Sequence, residues 1–257
     1  MRRPDETNLS AEEKLGARRR LTLWVSLNRP LAWLVILTFA LVLFLAWLPA
    51  YVRMYFWHGL QSHAVLTSLT LGFSLLTVSL LWSAGQRIDS WTFLVFNVRG
   101  RHPRWLDILM SAFTQIGNGI VIAALALILY FAGDHLLAYG LILGALTLWL
   151  VVELLKALVR RGRPFIRLTQ ARIVGIRARG RSFPSGHTSQ AFFMATLMVG
   201  HFHAAIWAVC LLYAIALVVG ITRIYMGAHY PRDVLAGAVL GTAWGLVAGI
   251  FYGYVLL

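Results

Sequence analysis

Residues 205–233 read AIWAVCLLYAIALVVGITRIYMGAHYPRD, and this stretch divides sharply. Ala205–Thr222 contains no charged residue. Arg223–Asp233 then gathers Arg223, His229, Arg232 and Asp233, after which Val234–Leu256 is apolar again but for scattered Gly and Thr. An apolar run of about 20 residues matches the thickness of bilayer hydrocarbon when coiled as a helix. In that medium every backbone N–H and C=O must be satisfied within the segment, which a helix does and an open strand does not. The stretch therefore predicts two membrane helices joined by a short polar hinge, and the fold class is all-α, a polytopic membrane helical bundle.

The same pattern extends outward. Further apolar runs occupy Leu31–Ala50, Ala64–Ala84, Phe113–Ala132, Ala138–Val159 and Thr188–His203, giving seven candidate spans. The run at Thr188–His203 is short, and its start can lie below the membrane surface if it lines a polar cavity. The run at Leu31 is longer and later than a signal-peptide core, and is read as a retained helix. Composition agrees: 60% of the 257 residues are hydrophobic and 12% charged, about half the charge of a soluble domain. Net charge is +14. The excess is nearly all Arg, whose planar fork of donors suits phosphate. On a soluble chain such a balance would suggest nucleic acid. On a membrane chain it points to anionic head groups, so no nucleic-acid partner is expected. One cysteine, Cys210, excludes an internal disulfide and a Cys-rich metal site.

Polar residues concentrate in three places: Lys156–Pro164, Phe183–His187 and Arg223–Asp233. The first two share one connecting loop. Two spans separate the second from the third, so all three meet on one membrane face. Together they offer the cations Lys156, Arg163 and Arg223, the hydroxyl of Ser185 and the backbone N–H groups of Gly186 and His187. Those N–H groups open a helix, a favoured anion site. Pro184 and Gly186 suit a helix start and a close backbone approach. This set fits a tetrahedral dianion, with charge-assisted bonds that strengthen as negative charge develops. Asp233 lies four residues after His229, where a carboxylate can hold one imidazole nitrogen protonated and leave the other to attack. His187, beside the anion nest, can act as general acid. The reaction class is phosphoryl transfer through a phosphohistidine, then attack by water. No carboxylate cluster is available for a metal, so metal independence and no cofactor are expected.

The patterns K-x6-R-P (Lys156, Arg163, Pro164), P-S-G-H (Pro184–His187) and R-x5-H-x3-D (Arg223, His229, Asp233) resemble the three signatures of the type 2 phosphatidic acid phosphatase and vanadium haloperoxidase superfamily. Thr222 stands where that family usually has Ser. The resemblance implies His229 as nucleophile, Asp233 as its partner, His187 as acid, and Lys156, Arg163, Ser185, Gly186 and Arg223 as phosphate ligands. It covers residues 64–257, a six-helix phosphatase core. Residues 31–63 add one N-terminal transmembrane helix and a loop, and residues 1–30 form a basic polar leader. The implied function is hydrolysis of a lipid phosphate monoester or diphosphate, of the phosphatidic acid, phosphatidylglycerol phosphate or polyprenyl diphosphate class. A lipid phosphotransferase and a non-enzymatic transporter or scaffold with an inherited site are the alternatives.

Other features carry blander readings. The loop arginines Arg160, Arg161, Arg167, Arg172, Arg177, Arg179 and Arg181 are read as a positive flank. Glu153 is read as the partner of Lys156, and Gly85–Ala112 as one or two interfacial amphipathic segments. Gly237, Gly241, Gly245, Gly249 and Gly253 form a small-residue face, read as packing within the chain, with a homodimer contact as the alternative. With seven spans, every Lys and Arg except Arg53 falls on one side. The positive-inside rule places that side, and the active face, in the cytoplasm; an extracytoplasmic face is the runner-up.

Overall fold

The computed structural model describes residues 63–251 and, before them, Leu43 alone. The leader and the expected first span, Leu31–Ala50, lie outside the described residues. The chain divides into two compact units, Met1–Trp57 and His58–Leu257, and the helices below all belong to the second. They are α1 (Ala64–Ser79), α2 (Ser83–Asn97), α3 (Arg104–Thr114), α4 (Gly119–Phe131), α5 (His135–Val159), α6 (Pro164–Arg167), α7 (Gly186–His201), α8 (Ile206–Tyr225) and α9 (Pro231–Phe251). A single 3-10 turn, Gln115–Gly117, joins α3 to α4. No strand occurs among the described residues.

Helix α5 starts at Asp134, whose carboxylate accepts from Leu137 N–H at 3.2 Å, and ends at Arg160 in the left-handed region (φ 53°). Helix α4 is capped by Asn118, which accepts from Ile120 N–H at 3.2 Å. Such caps satisfy N–H groups that no preceding turn can reach. Helices α5, α8 and α9 are each long and apolar enough to cross a membrane alone. The pairs α1–α2 and α3–α4 qualify only as bent units, at 95° and 58°. Helix α7 has 16 residues, short for a span, as its polar start anticipates.

Two expected spans end elsewhere than sequence predicts. The run Ala64–Ala84 is cut at Ser79, where the chain tightens into a turn (Trp82 N–H donates to the Ser79 carbonyl at 3.0 Å) and side chains take the freed carbonyls. Gln86 Nε2 donates to the Leu80 carbonyl at 2.6 Å, and Arg232 Nη1 donates to the Ser79 carbonyl at 2.6 Å. With those acceptors satisfied, the chain turns and restarts as α2. The run Phe113–Ala132 instead contains the end of α3, the 3-10 turn and α4. The segment Gly85–Ala112 does form two amphipathic helical pieces, α2 and most of α3.

Helix α7 is the buried centre, packed by α9, α8 and α5. Phe193 is fully buried there, its ring set against α5, while the glycines of α9 lie against the backbone of α7 and the Thr196 side chain. A Cβ on Gly144 of α5 would overlap its ring. On α9, a Cβ on Gly237 would come within 2.7 Å of the Ser185 carbonyl oxygen, and one on Gly245 within 2.6 Å of Thr196 Cβ. A Cβ on Gly241 would overlap the Ser189 carbonyl oxygen. The glycine face is thus taken up by α7 at Gly237, Gly241 and Gly245, and a homodimer contact through the Gly237/Gly241/Gly245/Gly249/Gly253 face is not available at those three. Bare backbone lets two helices approach closely where no hydrophobic force distinguishes helix from lipid. Outward-facing Leu143, Leu146, Trp149, Leu150, Leu154 and Leu158 of α5 remain exposed, the expected surface of a helix meeting hydrocarbon tails.

Candidate active site

The three polar segments meet at one end of the α5–α7–α8–α9 cluster. Hydrogen bonds fasten them to one another. Ser182 N–H donates to the Arg161 carbonyl at 2.9 Å, tying the second segment to the first. Ser185 N–H donates to the Asp233 carbonyl at 2.9 Å, tying the second to the third. Arg163 Nη1 donates to the Ala228 carbonyl at 2.9 Å, tying the first to the third. His229 N–H reaches back to the Arg223 carbonyl at 3.2 Å, closing the hinge between α8 and α9.

His229 is 3% exposed. Its Nδ1 lies 2.7 Å from the Ser182 carbonyl, an acceptor only, so Nδ1 carries the proton. Its Nε2 lies 3.3 Å from Arg163 Nη1, a donor only, so Nε2 presents its lone pair. Burial, reinforced by the charges of Arg163 and Arg223 and opposed by Asp233, pushes its pKa down to about 4. The ring is therefore neutral at physiological pH, with the lone pair of Nε2 facing Arg163.

Asp233, fully buried, does not hydrogen-bond His229 as the four-residue spacing suggests. The nearest approach, Oδ2 to Nδ1, is 3.8 Å. The carboxylate instead accepts from the Ser182 hydroxyl, from Tyr230 N–H at 2.9 Å and from Arg161. The residue between them is Ser182: its carbonyl holds the His229 proton and its hydroxyl is held by Asp233. A sequence spacing cannot register an intermediary supplied by another loop.

The cations converge as expected. Arg163 is buried and further anchored on the carbonyls of Gly180 (3.2 Å) and Arg179 (2.7 Å). Arg223 is buried and donates from Nη1 to Thr114 Oγ1 at 2.8 Å, while its Nε has no protein partner. Lys156 pairs with Glu153 at 2.7 Å, the partner read from sequence, and its Nζ lies 3.8 Å from where a Cβ on Gly186 would stand. Ser185 is the N-cap residue of α7, but no side chain caps that helix; its hydroxyl pairs with Thr188 Oγ1 at 2.9 Å. Gly186 and His187 form the first turn of α7, both half-buried.

Several contributors escaped the sequence reading. Thr114 positions Arg223, and Gly117 lets the 3-10 turn lie against the His187 backbone, since a Cβ there would overlap the His187 carbonyl oxygen. The signal was Gly117-Asn-Gly119 interrupting an apolar run. Arg161 is not a solvated flank: it is 7% exposed and bonded to Asp89 of α2 and to Asp233. Arg172 pairs with Asp107 of α3 at 2.7 Å, and Asn97 binds both the N–H and the carbonyl of Arg172. The loop after α6 is thereby docked on α2 and α3. Beneath it, a small pocket over Arg223 is lined by Phe165, Val174, Ile176, Met226 and Ala228.

Comparison with known proteins agrees with this geometry. The family model of the PAP2 superfamily matches residues 135–255. The lipid A 4'-phosphatase of Bacteroides thetaiotaomicron is 33% identical over 179 residues, covering 64% of this chain and 76% of that protein. The fold is shared with the transmembrane PAP2 type phosphatidylglycerolphosphate phosphatase of Bacillus subtilis, at TM-score 0.65 and 24% identity over 74% of this chain and 97% of that one. Aquifex aeolicus LpxE aligns at TM-score 0.55 and 31% identity, over 61% of this chain and 92% of that one. Apolar helices, three interlocked polar segments and these likenesses together place the chain in the PAP2 superfamily, as a multi-pass membrane phosphatase.

Proposed function

We propose that the protein is a lipid phosphatase that hydrolyses a lipid phosphate ester through a phosphohistidine on His229. The observation that carries this reading is the neutral His229 ring, its Nδ1 proton fixed on Ser182 and its Nε2 turned toward Arg163. In the first step Nε2 attacks phosphorus, the P–N bond forms, and the bond to the leaving oxygen breaks. His187, whose pKa burial and the nearby Arg223 push down to about 3, donates a proton to that oxygen once the negative charge of the bound phosphate offsets those cations. Lys156, Arg163, Arg223, Ser185 and the N–H groups at the start of α7 bind the non-bridging oxygens as their charge grows. The phosphorylated imidazole keeps its Nδ1 proton and is cationic; Asp233 at 3.8 Å offsets that charge. In the second step water attacks phosphorus, His187 takes its proton, the P–N bond breaks and inorganic phosphate leaves.

Among lipid phosphates, lipid A is the substrate we place first, because a relative of that named activity matches across most of its length. Phosphatidylglycerol phosphate follows on the structural likeness, then phosphatidic acid and polyprenyl diphosphates. The docked loop over Arg223 would contact the head group. Purified protein assayed for phosphate release against this panel should favour one class by tenfold or more. Activity should survive EDTA, because guanidinium and ammonium groups supply the charge that a metal otherwise would. EDTA-sensitive turnover restored by magnesium would overturn that point, and release of no phosphate from any lipid phosphate would overturn the reading.

We also propose that the active face is cytoplasmic, on the strength of the leader's basic residues. Cys210 is exposed, so the test begins with Cys210→Ala and adds Ile176→Cys, at a position 95% exposed on the docked loop. An impermeant maleimide should label this protein only after cells are permeabilised. Labelling in intact cells would place the site outside.

A further inference from the structure

Beyond the residues that meet phosphate, a buried ionic network joins α2 to the His229 hinge. Asp89 is 3% exposed and Asp233 0%. Arg161 lies between them, one amino group on Asp89 and the other on Asp233, with Gln86 Oε1 also accepting at 3.1 Å. Its guanidinium is stacked 4.2 Å from the centre of the Tyr230 ring. Asp89 is held in turn by Arg232, through the backbone N–H at 3.1 Å and Nε at 3.2 Å. Arg232 also grips the end of α1 at Ser79. Two carboxylates and two guanidiniums thus balance in charge, Asp89, Asp233 and Arg161 buried and Arg232 partly so, an arrangement whose desolvation is offset only by well-aimed pairing.

We propose that Asp89 and Arg161 are positioning residues for catalysis, acting on His229 through Asp233 and Ser182. The path is continuous. Asp89 fixes the Arg161 fork; the fork fixes the Asp233 carboxylate; that carboxylate holds the Ser182 hydroxyl; the Ser182 carbonyl holds the Nδ1 proton of His229. Arg161 acts twice, because its own carbonyl also accepts from Ser182 N–H at 2.9 Å. Among the described residues, the side chains of Asp89 and Arg161 hydrogen-bond one another, Asp233, Gln86 and Arg232, and none of Lys156, Arg163, Ser185 or Arg223, so the network should govern the aim of the imidazole and leave anion binding alone. The bent α1–α2 unit thereby gains a part in catalysis. Its bend brings Asp89 over the hinge, where a straight continuation of α1 would not.

This inference rests on the phosphohistidine reading, and the assay separates the two. Loss of turnover in His229→Ala speaks to that reading alone. For the network, the variants are Asp89→Asn, which removes one charge at constant shape, and Arg161→Lys, which keeps the charge and loses the fork. Each should lower kcat tenfold or more. KM, and the inhibition constant of inorganic phosphate, should stay within about twofold of wild type. Because Asp89 acts through Arg161, the double variant should be little slower than Arg161→Lys alone. Asp89→Glu, which restores the carboxylate, should recover part of the rate. Should Asp89→Asn not fold, Arg161→Lys and Asp89→Glu decide the matter by the same kcat-against-KM comparison. Unchanged kcat in a folded variant, a parallel loss of phosphate affinity, or multiplicative losses in the double variant would each overturn the proposal.

Discussion

His229→Ala is expected to reduce lipid-phosphate turnover by roughly a thousandfold or more, the scale on which loss of a nucleophile falls. The ring has no structural double. Its Nδ1 proton is committed to Ser182 and its Nε2 is the basic nitrogen that Arg163 faces, so no neighbour can substitute at the phosphorus. The same geometry sets a pH dependence. With a pKa pushed down to about 4 by burial and by Arg163 and Arg223, His229 is protonated and inert only below that value. The acid limb of kcat/KM assigned to the free enzyme should therefore rise through about pH 4, well below the usual histidine range. Phosphate release by the purified variant, with its melting temperature as a control for folding, is the measurement. A rate within tenfold of wild type would remove His229 from the chemistry.

Gly241→Ala should destabilise the fold strongly for a single added methyl. The new Cβ would overlap the Ser189 carbonyl oxygen and stand 3.0 Å from Phe193 N. Both are backbone atoms of α7, and neither can rotate away. Helices α7 and α9 would have to separate, at a cost of about 1–3 kcal/mol or more for overpacking. For a chain of this size that lowers the melting temperature by about 2–12 °C. Activity should fall too, because α7 carries Gly186 and His187 and α9 carries Asp233. Gly72→Ala on α1, where a Cβ would meet nothing within 4 Å, is the control and should melt with wild type or above it. Wild-type melting of Gly241→Ala in detergent would show that the α7–α9 contact is looser than its geometry implies. A change in oligomer size without a change in melting would return the glycine face to a role between chains.

Much of the fold follows from the order of residues. Long apolar runs between polar segments have one solution in a bilayer, so the helical bundle and the spans α5, α8 and α9 were legible, each within a few residues. Counting the spans between polar clusters brought Lys156, Arg163, Ser185, Gly186, His187, Arg223, His229 and Asp233 to one face, where the structure places them. The Glu153–Lys156 pair was legible because it is local, three residues apart on one helix. What sequence could not supply is whatever depends on a partner distant along the chain. Where α1 ends, at Ser79, Arg232, far down the chain, binds its carbonyl. Asp233 is separated from His229 because Ser182, from another loop, occupies the position between them. Arg161 resembles any loop arginine until folding buries it between Asp89 and Asp233, and a guanidinium can stay charged there only because both carboxylates arrive with it. Local pattern determined which segments enter the membrane and which residues face one another. Only tertiary structure decided who satisfies whom, because buried polar groups must be paired and their partners are selected in space.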